Sequence, residues 1–329
     1  MLVLSIAIWF CIGLLIKYSA IKLAWKLDFL NYPTQKVKHH KNPVAYLGGL
    51  SIFLTIIINF WAGSVFYDYN FFDNETFKTL IVLGLFMFLG TIDDKYILSA
   101  KNKFFLQMGA SALTVYLGFY VEIFPIPILN YVCSGFALLC LLNAFNLIDV
   151  SDGLLTSVFL PTMLYFYFMI GQNPLELIIV ISFISFLYFN RPDAKIYLGD
   201  GGSHLLGAVA FVYFIKLFDS NLFIGNTLID FMLISVILFE FFFLLYRRTK
   251  QGLSIFKASP DHYAMLLMLQ GWSKTKIALI SMLTSTVFVL AAYFSQSSSL
   301  TFQLVIFALV LGFFFVIGYV INSKFRLKN

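Results

Sequence analysis

The chain has 329 residues, of which 60% are hydrophobic and only 12% are charged, and it contains 40 Phe. This composition excludes a soluble globular domain and is typical of proteins that cross a membrane many times. The formal net charge of +6 is modest, and no basic run is interleaved with aromatic residues, so the sequence gives no indication of nucleic-acid binding.

Eleven apolar segments are long enough, or nearly so, to cross a bilayer at about 20 residues per crossing. They cover residues 2–24, 46–66, 77–92, 104–120, 128–143, 153–170, 176–190, 202–218, 227–246, 275–294 and 301–322. The first segment is longer than a signal-peptide core and lacks a small-residue cleavage site, so we expect it to be retained. The sequence therefore predicts an all-α fold, one integral-membrane domain over residues 1–329 with about 10–11 spanning helices.

The loops between these segments fall into two alternating sets, and one set holds 18 of the 22 basic residues. The positive-inside rule assigns this set to the cytoplasm and places the N-terminus outside. Eight Asp residues lie on the same side, whereas the four Glu lie elsewhere. Short carboxylates held near the backbone suit metal and phosphate chemistry, so the cytoplasmic face is the predicted site of function.

The first cytoplasmic loop carries a basic strip that includes Lys38 and His39. This strip has two readings. It could bind anionic lipid headgroups, or it could belong to a substrate site.

Asp93 and Asp94 are adjacent at the end of the third segment. Two adjacent carboxylates are stable as anions only near a cation or with one of them protonated. One reading is a solvated helix end with Lys95 as the counter-ion. The other is a functional pair, with Lys101 and Lys103 at the start of the fourth segment as ligands for phosphate groups.

Four polar residues stand at three-residue spacing between the fifth and sixth segments: Asn143, Asn146, Asp149 and Asp152. If this stretch is helical, these side chains share one face. The alternative is a loop in which Asp152-Gly153 caps the next helix. Uncompensated amides and carboxylates are costly beside a membrane, which favours a functional interpretation.

The next cytoplasmic loop contains Gly199-Asp200-Gly201-Gly202. The glycines would let the backbone approach a ligand, and the first N–H groups of the following helix would face an anion. Alone, the motif is equally compatible with an ordinary helix start. Further along the chain, Glu240 is an acid inside an apolar segment, and we expect it to meet another helix. His262 precedes the tenth segment, and a lone His is more often structural than catalytic.

The three cysteines, Cys11, Cys133 and Cys140, lie in apolar segments without a pairing pattern or metal-ligand spacing. We expect them to be small buried hydrophobic side chains with no redox role.

Taken together and in this order, these motifs resemble the polyprenyl-phosphate N-acetylhexosamine-1-phosphate transferases. The resemblance extends from Asp28 in the first loop to His262. That family includes the phospho-MurNAc-pentapeptide translocase and the initiators of O-antigen, teichoic acid and N-glycan precursors. The resemblance implies a multi-pass enzyme of the bacterial inner membrane with a cytoplasmic active site. It would transfer a sugar-1-phosphate from a UDP-sugar to a polyprenyl phosphate, releasing UMP, as the first step of a cell-envelope glycan.

The resemblance also implies Mg²⁺, with Mn²⁺ as an alternative, and a role for each matching residue. The metal ligands would be Asn146 and Asp200. The catalytic residues would be Asp93, Asp94 and Asp152, with Asp93 as a candidate base, although a lipid phosphate scarcely needs deprotonating near pH 7. The substrate-binding residues would be Lys38, His39, Lys101, Lys103, Asn143, Asp149, Tyr197 and His262, with Tyr197 stacked on uracil.

The sequence departs from the family pattern in two places. Val150 stands where many members have Gly, next to the nucleotide. A single His262, followed by Tyr263-Ala264-Met265, replaces a cluster of two or three His. Because this loop would set the sugar pocket, we expect a less hydroxylated sugar, such as a 6-deoxy N-acetylhexosamine, to be accepted at least as well as N-acetylglucosamine.

Two other functions remain open at the level of sequence. A carrier or flippase for an anionic lipid or nucleotide would carry acids at mid-membrane and internal repeat symmetry, of which only Glu240 is present. An inactive scaffold of a glycan-assembly complex would not need the set of Asp residues. The oligomeric state is also open, with a homodimer as one option.

Overall fold

The computed structural model describes residues 2–33, 42–67, 73–171, 173–220, 224–253 and 260–324, without the side chains of residues 66, 67, 219, 220 and 224–227. The described residues form thirteen helices and two short strands. The helices are α1 (Leu2–Lys26), α2 (Gly48–Tyr67), α3 (Asn74–Tyr96), α4 (Ala100–Tyr116), α5 (Pro127–Ile148), α6 (Leu154–Met169), α7 (Pro174–Asn190), α8 (Gly199–Ser220), α9 (Ile224–Leu233), α10 (Ser235–Lys250), α11 (Tyr263–Leu269), α12 (Lys274–Ser295) and α13 (Leu300–Lys324). The strands are β1 (Leu30–Asn31) and β2 (Val44–Ala45).

The predicted polytopic helical bundle is confirmed. Within the described residues, seven helices are long and apolar enough to cross a membrane: α1, α2, α3, α5, α8, α12 and α13. The helices α6 and α7 are apolar but shorter, with 16 and 17 residues. The predicted ninth crossing is not one continuous helix, because a turn at Ile234 separates α9 from α10.

Helix α8 lies at the centre of the bundle and packs against α2, α3 and α5. Its first turn approaches its neighbours backbone to backbone. A methyl group at Gly90 on α3 would overlap the Asp200 carbonyl group, and one at Gly49 on α2 would overlap the backbone of Gly201 and Gly202. A methyl group at Gly201 would likewise overlap Thr91 on α3, so the glycines around Asp200 serve close helix packing, and the approach of a ligand to them stays a prediction.

A small antiparallel sheet joins two loops at one end of the bundle. Leu30 pairs with Ala45 within the sheet, and Ala45 also forms a parallel bridge with Ile196. The Tyr197 N–H donates to the Ala45 carbonyl at 2.8 Å. The loop before α2 and the loop before α8 are thereby held side by side.

The expectation that all three cysteines are buried is wrong. Cys11 on α1 and Cys133 on α5 are exposed, and Cys140 is half-buried. They lie on outward faces of apolar helices, where a hydrophobic sequence gives no signal that separates contact with lipid from contact with protein.

Candidate active site

Four helix ends meet at the end of the bundle that carries the small sheet. They are the C-terminal ends of α3 and α5 and the N-terminal ends of α4 and α8. Lys103 Nζ lies 2.8 Å from Asp93 Oδ2 and also contacts the Asp200 carboxylate. Asn146 Nδ2 donates to Asp200 Oδ1 at 2.7 Å and to Ser203 Oγ at 3.1 Å. The structure thus brings four predicted site residues, distant in sequence, into contact around Asp200.

Asp94 accepts hydrogen bonds from the first turn of α8. The Asp200 N–H donates to Asp94 Oδ1 at 2.8 Å, and the Gly201 N–H donates to Asp94 Oδ2 at 3.0 Å. A carboxylate at a helix N-terminus is favourable because the free N–H groups and the helix dipole face it. The anion expected at this helix start is therefore the protein's own Asp94, which fixes the backbone of Asp200.

The Asp93–Asp94 pair is not a solvated helix end with Lys95 as its counter-ion. The Lys95 ammonium lies over the ring of Tyr96, 5.4 Å from its centroid. Asp93 instead pairs with Lys103, and its Oδ1 accepts the Leu98 N–H at 2.8 Å. Of the two readings of the pair, the geometry favours the functional one.

Asp149 directly follows α5 and adds a further carboxylate to this region. Burial raises the pKa of the Asp149 carboxyl well above its usual range, and the charges of Asp200 and Asp94 raise it further. Burial also raises the pKa of the nearby Tyr46 hydroxyl, with the same two carboxylates adding to the effect. We call Asp93, Asp94, Asp149 and Asp200 the acid cluster. Among the described residues, Lys103 is the cation that pairs with this cluster.

Asp152 lies apart from the acid cluster. Helix α5 ends at Ile148, so Asp149 and Asp152 do not share a helical face. The alternative of a loop before the next helix holds instead, with Gly153 as the N-cap of α6. Both Asp152 oxygens lie 3.0 Å from Lys274 Nζ at the start of α12, and Oδ2 also accepts the Ala194 N–H at 3.2 Å. Asp152 is buried and holds α12 against two loops. This geometry gives it a positioning role and does not by itself support the predicted catalytic role.

Tyr197 lies near Asp152 and near Asp149 of the acid cluster. It is half-buried, and its hydroxyl pKa is raised by burial and by the nearby charges of Asp152 and Asp149. Asn190 ties its loop in place, because Asn190 Nδ2 donates to Ile196 O at 2.8 Å and Asn190 Oδ1 accepts the Gly153 N–H at 3.0 Å. Stacking of Tyr197 on uracil remains a prediction.

Several predicted substrate-binding residues lie outside the acid cluster. Lys101 is exposed on the first turn of α4. Asn143 is one turn deeper than Asn146 and donates to its own helix, at Leu139 O, at 2.8 Å. Lys38 and His39 fall outside the described residues.

His262 is buried and contacts Glu240, whose partner could not be predicted from the sequence. His262 Nδ1 donates to Glu240 Oε1 at 2.6 Å, and the Tyr263 N–H donates to Glu240 Oε2 at 3.2 Å. Glu240 therefore caps α11 and orients His262. Tyr263 contacts Ser281 Oγ through its hydroxyl at 2.9 Å, and Ala264 and Met265 are buried with it. These three side chains pack in the core, which removes the basis for the predicted preference for a 6-deoxy sugar.

Further residues at the site are absent from the set predicted from the sequence. Lys274 is one of the basic loop residues that predict the orientation, and in the structure it pairs with Asp152. Gln107 and His204 lie in contact one turn below the acid cluster, with their Nε2 atoms 2.7 Å apart. Their spacing of four residues from Lys103 and Asp200 was the available signal, since it places them on the same helix faces.

The donor atoms of the cluster fit a hard cation. The described residues include no group of three or more His, Cys, Asp or Glu that could hold a metal by themselves. Asp93 and Asp200 offer carboxylate oxygens, and Asn146 has its carbonyl oxygen left for a ligand because its amide nitrogen faces Asp200. Mg²⁺ commonly binds one or two carboxylates and completes its shell with water and substrate phosphates. The residues present fit such a shared site.

Known proteins match the part of the chain that forms this site. The model of glycosyl transferase family 4 matches residues 76–218, which include the four helix ends of the site. A probable undecaprenyl-phosphate N-acetylglucosaminyl 1-phosphate transferase of Bacillus subtilis is 29% identical over 327 residues, covering 93% of this chain and 88% of the relative. An undecaprenyl-phosphate alpha-N-acetylglucosaminyl 1-phosphate transferase of Yersinia pestis is 25% identical over 334 residues, covering 95% and 89%. The Thermotoga maritima protein of the same name is 32% identical over 205 residues, covering 60% of each chain.

The chain is therefore similar to glycosyl transferase family 4 over residues 76–218, and to undecaprenyl-phosphate N-acetylglucosaminyl 1-phosphate transferases over most of its length.

Proposed function

We propose that this protein transfers N-acetylglucosamine 1-phosphate from its UDP-sugar to a polyprenyl phosphate on the cytoplasmic side of a bacterial inner membrane. An oxygen of the lipid phosphate attacks the phosphorus that carries the sugar. A new P–O bond forms, the P–O bond to UMP breaks, and UMP leaves. The product is a polyprenyl diphosphate sugar.

The observation that carries the proposal is the contact of Asp93, Lys103 and Asn146 around Asp200, from four helices at one end of an apolar bundle. The acid cluster holds more negative charge than Lys103 can balance. Such a site is unfavourable alone and suits a divalent cation shared with a diphosphate. Mg²⁺, when bound, would neutralise the phosphate oxygens.

The chain's own residues would act mainly by position and charge. Lys103 carries a positive charge within the acid cluster and would pair with a phosphate oxygen. Asp93 pairs with Lys103 through one oxygen and accepts the Leu98 N–H through the other, so both of its oxygens are already engaged. A lipid phosphate is largely dianionic near neutral pH and needs no base. Preorganised charge would then supply most of the rate enhancement.

The sugar in this proposal is the one for which the relatives are named. Those of Bacillus subtilis, Yersinia pestis and Thermotoga maritima are all named as N-acetylglucosaminyl 1-phosphate transferases. Since Tyr263, Ala264 and Met265 pack in the core, nothing in the described loop disfavours a fully hydroxylated sugar.

The decisive experiment measures UMP release by the purified protein with polyprenyl phosphate, Mg²⁺ and one UDP-sugar at a time. We expect release with UDP-N-acetylglucosamine that requires the lipid phosphate and stops in excess EDTA. The sugar is tested by comparing kcat/KM for UDP-N-acetylglucosamine with kcat/KM for its 6-deoxy counterpart. The comparison is made in the wild-type protein and in His262→Ala. Movement of lipid or nucleotide across proteoliposomes without UMP release would support a carrier instead and would contradict the proposal.

A further inference from the structure

A second polar layer lies one helical turn deeper in the bundle than Asp200. The helices α4, α5 and α8 each carry two polar residues three or four positions apart: Lys103 and Gln107, Asn143 and Asn146, and Asp200 and His204. Residues at this spacing share a helix face. Polar side chains of α4, α5 and α8 therefore meet at two depths in the bundle. We call Lys103, Asn146 and Asp200 the upper layer and Gln107, Asn143 and His204 the lower layer.

The hydrogen bonds of the lower layer have one order of donors and acceptors, from Asn143 through Gln107 to His204. Asn143 Nδ2 lies 3.5 Å from Gln107 Oε1, and Gln107 Nε2 lies 2.7 Å from His204 Nε2. Because the Gln107 oxygen faces the Asn143 donor, its amide nitrogen faces His204 and donates to it. His204 Nε2 is then an acceptor, and the imidazole is neutral with its proton on Nδ1.

Stability alone does not explain these side chains. Gln107 is 4% exposed and His204 is 2% exposed, between apolar helices. Within the described part of the chain, His204 Nδ1 has no hydrogen-bond partner. A buried polar atom without a partner destabilises the fold, so a leucine would pack at this depth with less cost. Polar residues kept inside a membrane bundle mark function more often than packing.

We propose that Gln107, Asn143 and His204 are positioning residues. They hold α4, α5 and α8 in the register that joins Lys103, Asn146 and Asp200. The inference rests on the proposed function, since it is tested through the metal and phosphate chemistry of the upper layer. Side chains behind metal ligands fix the ligands' orientation, and their loss typically lowers activity or metal affinity by about 10- to 100-fold.

Variants at His204 separate positioning from packing. In His204→Leu we expect kcat to fall about 10-fold or more and the half-saturating Mg²⁺ concentration to rise. Its Tm should stay equal or increase, because an unpartnered polar atom is removed. His204→Gln, whose Oε1 can accept from Gln107, should regain most of the kcat. The matched control is Thr114→Val on α4, whose hydroxyl donates to Ala110 O of its own helix at 2.9 Å, and it should retain kcat.

The effect of Mg²⁺ on Tm gives a second test that does not depend on turnover. Mg²⁺ should raise the Tm of the wild-type protein in the absence of substrates, and the rise should be smaller in His204→Leu. A wild-type protein that shows neither transfer nor this Mg²⁺ effect would contradict the proposed function itself. If the wild type shows both and His204→Leu retains both, the positioning role is wrong. A joint fall of kcat and Tm in His204→Leu, with no recovery in His204→Gln, would assign the lower layer to packing and also overturn the inference.

Discussion

Asp200 is the residue on which the other helices of the site converge. Its carboxylate contacts Lys103 from α4 and Asn146 from α5, while Asp94 from α3 holds its backbone N–H. A neutral amide in place of this carboxylate would lose charge toward a metal and toward Lys103. It would also relieve repulsion from the neighbouring acids, so folding should not suffer.

We therefore predict that Asp200→Asn and Asn146→Ala each lower kcat by at least about 100-fold, with little change in Tm. UMP release and thermal unfolding of the purified variants measure the two effects. Asp193→Asn serves as the control, because Asp193 is exposed in the loop before α8. Near wild-type turnover in both site variants would show that the acid cluster is not the active site.

At the scale of residues, the sequence identified side chains that the structure brings together, but not always their partners. Asp93, Lys103, Asn146 and Asp200 could be identified because polar groups at membrane boundaries are rare enough to stand out. The pairing of Asp152 with Lys274 could not be predicted, since 122 residues separate them and neither spacing nor charge pattern links them. The pairing of Glu240 with His262 could not be predicted either, for the same reason.

Close packing of α3 on α8 depends on Gly90, and this dependence can be tested at the scale of the helix pair. A methyl group at this position would meet backbone rather than a flexible side chain, so the two helices would have to separate. We expect Gly90→Ala to destabilise the protein by about 1–3 kcal/mol. It should also lower kcat, because separation moves Asp200 away from Asp93.

Gly109→Ala on α4 is the matched control. No atom lies within 4 Å of a methyl group built there, so the substitution should gain about 0.5–1 kcal/mol from helix propensity and leave kcat unchanged. Unfolding of both variants in one detergent gives the comparison. Equal stability of the two proteins would exclude the close-packing role of Gly90.

Helix positions followed from hydrophobicity, while their ends did not. The apolar segments predicted the helices because a long apolar run in a bilayer must satisfy its backbone internally. The break at Ile234 lies within a continuous apolar run, which gave no sign of a turn. The α11 helix was missed because it has only seven residues and lies in a loop between two crossings.

At the scale of the whole molecule, the bundle has two distinct ends. The acid cluster, Lys274 and the small sheet lie at one end. The α4–α5 connection around Pro125 and the α12–α13 connection around Ser297 lie at the other, because α4 and α12 both start at the site end and run away from it. The distribution of basic residues predicts that the site end faces the cytoplasm.

Single cysteines test this orientation in a background where Cys11, Cys133 and Cys140 are replaced by Ser. Cysteines at Pro125 and Ser297, both exposed, should react with an impermeant thiol reagent added outside spheroplasts. Cysteines at Lys101 and Asp193, exposed at the site end, should react only after the membrane is permeabilised. Reorienting the bundle would place the basic loops outside, against the bias that controls insertion, so we expect one uniform pattern. The reverse labelling pattern would put the acid cluster on the side of the membrane where a cytoplasmic UDP-sugar cannot reach it, and the proposed reaction would then be wrong.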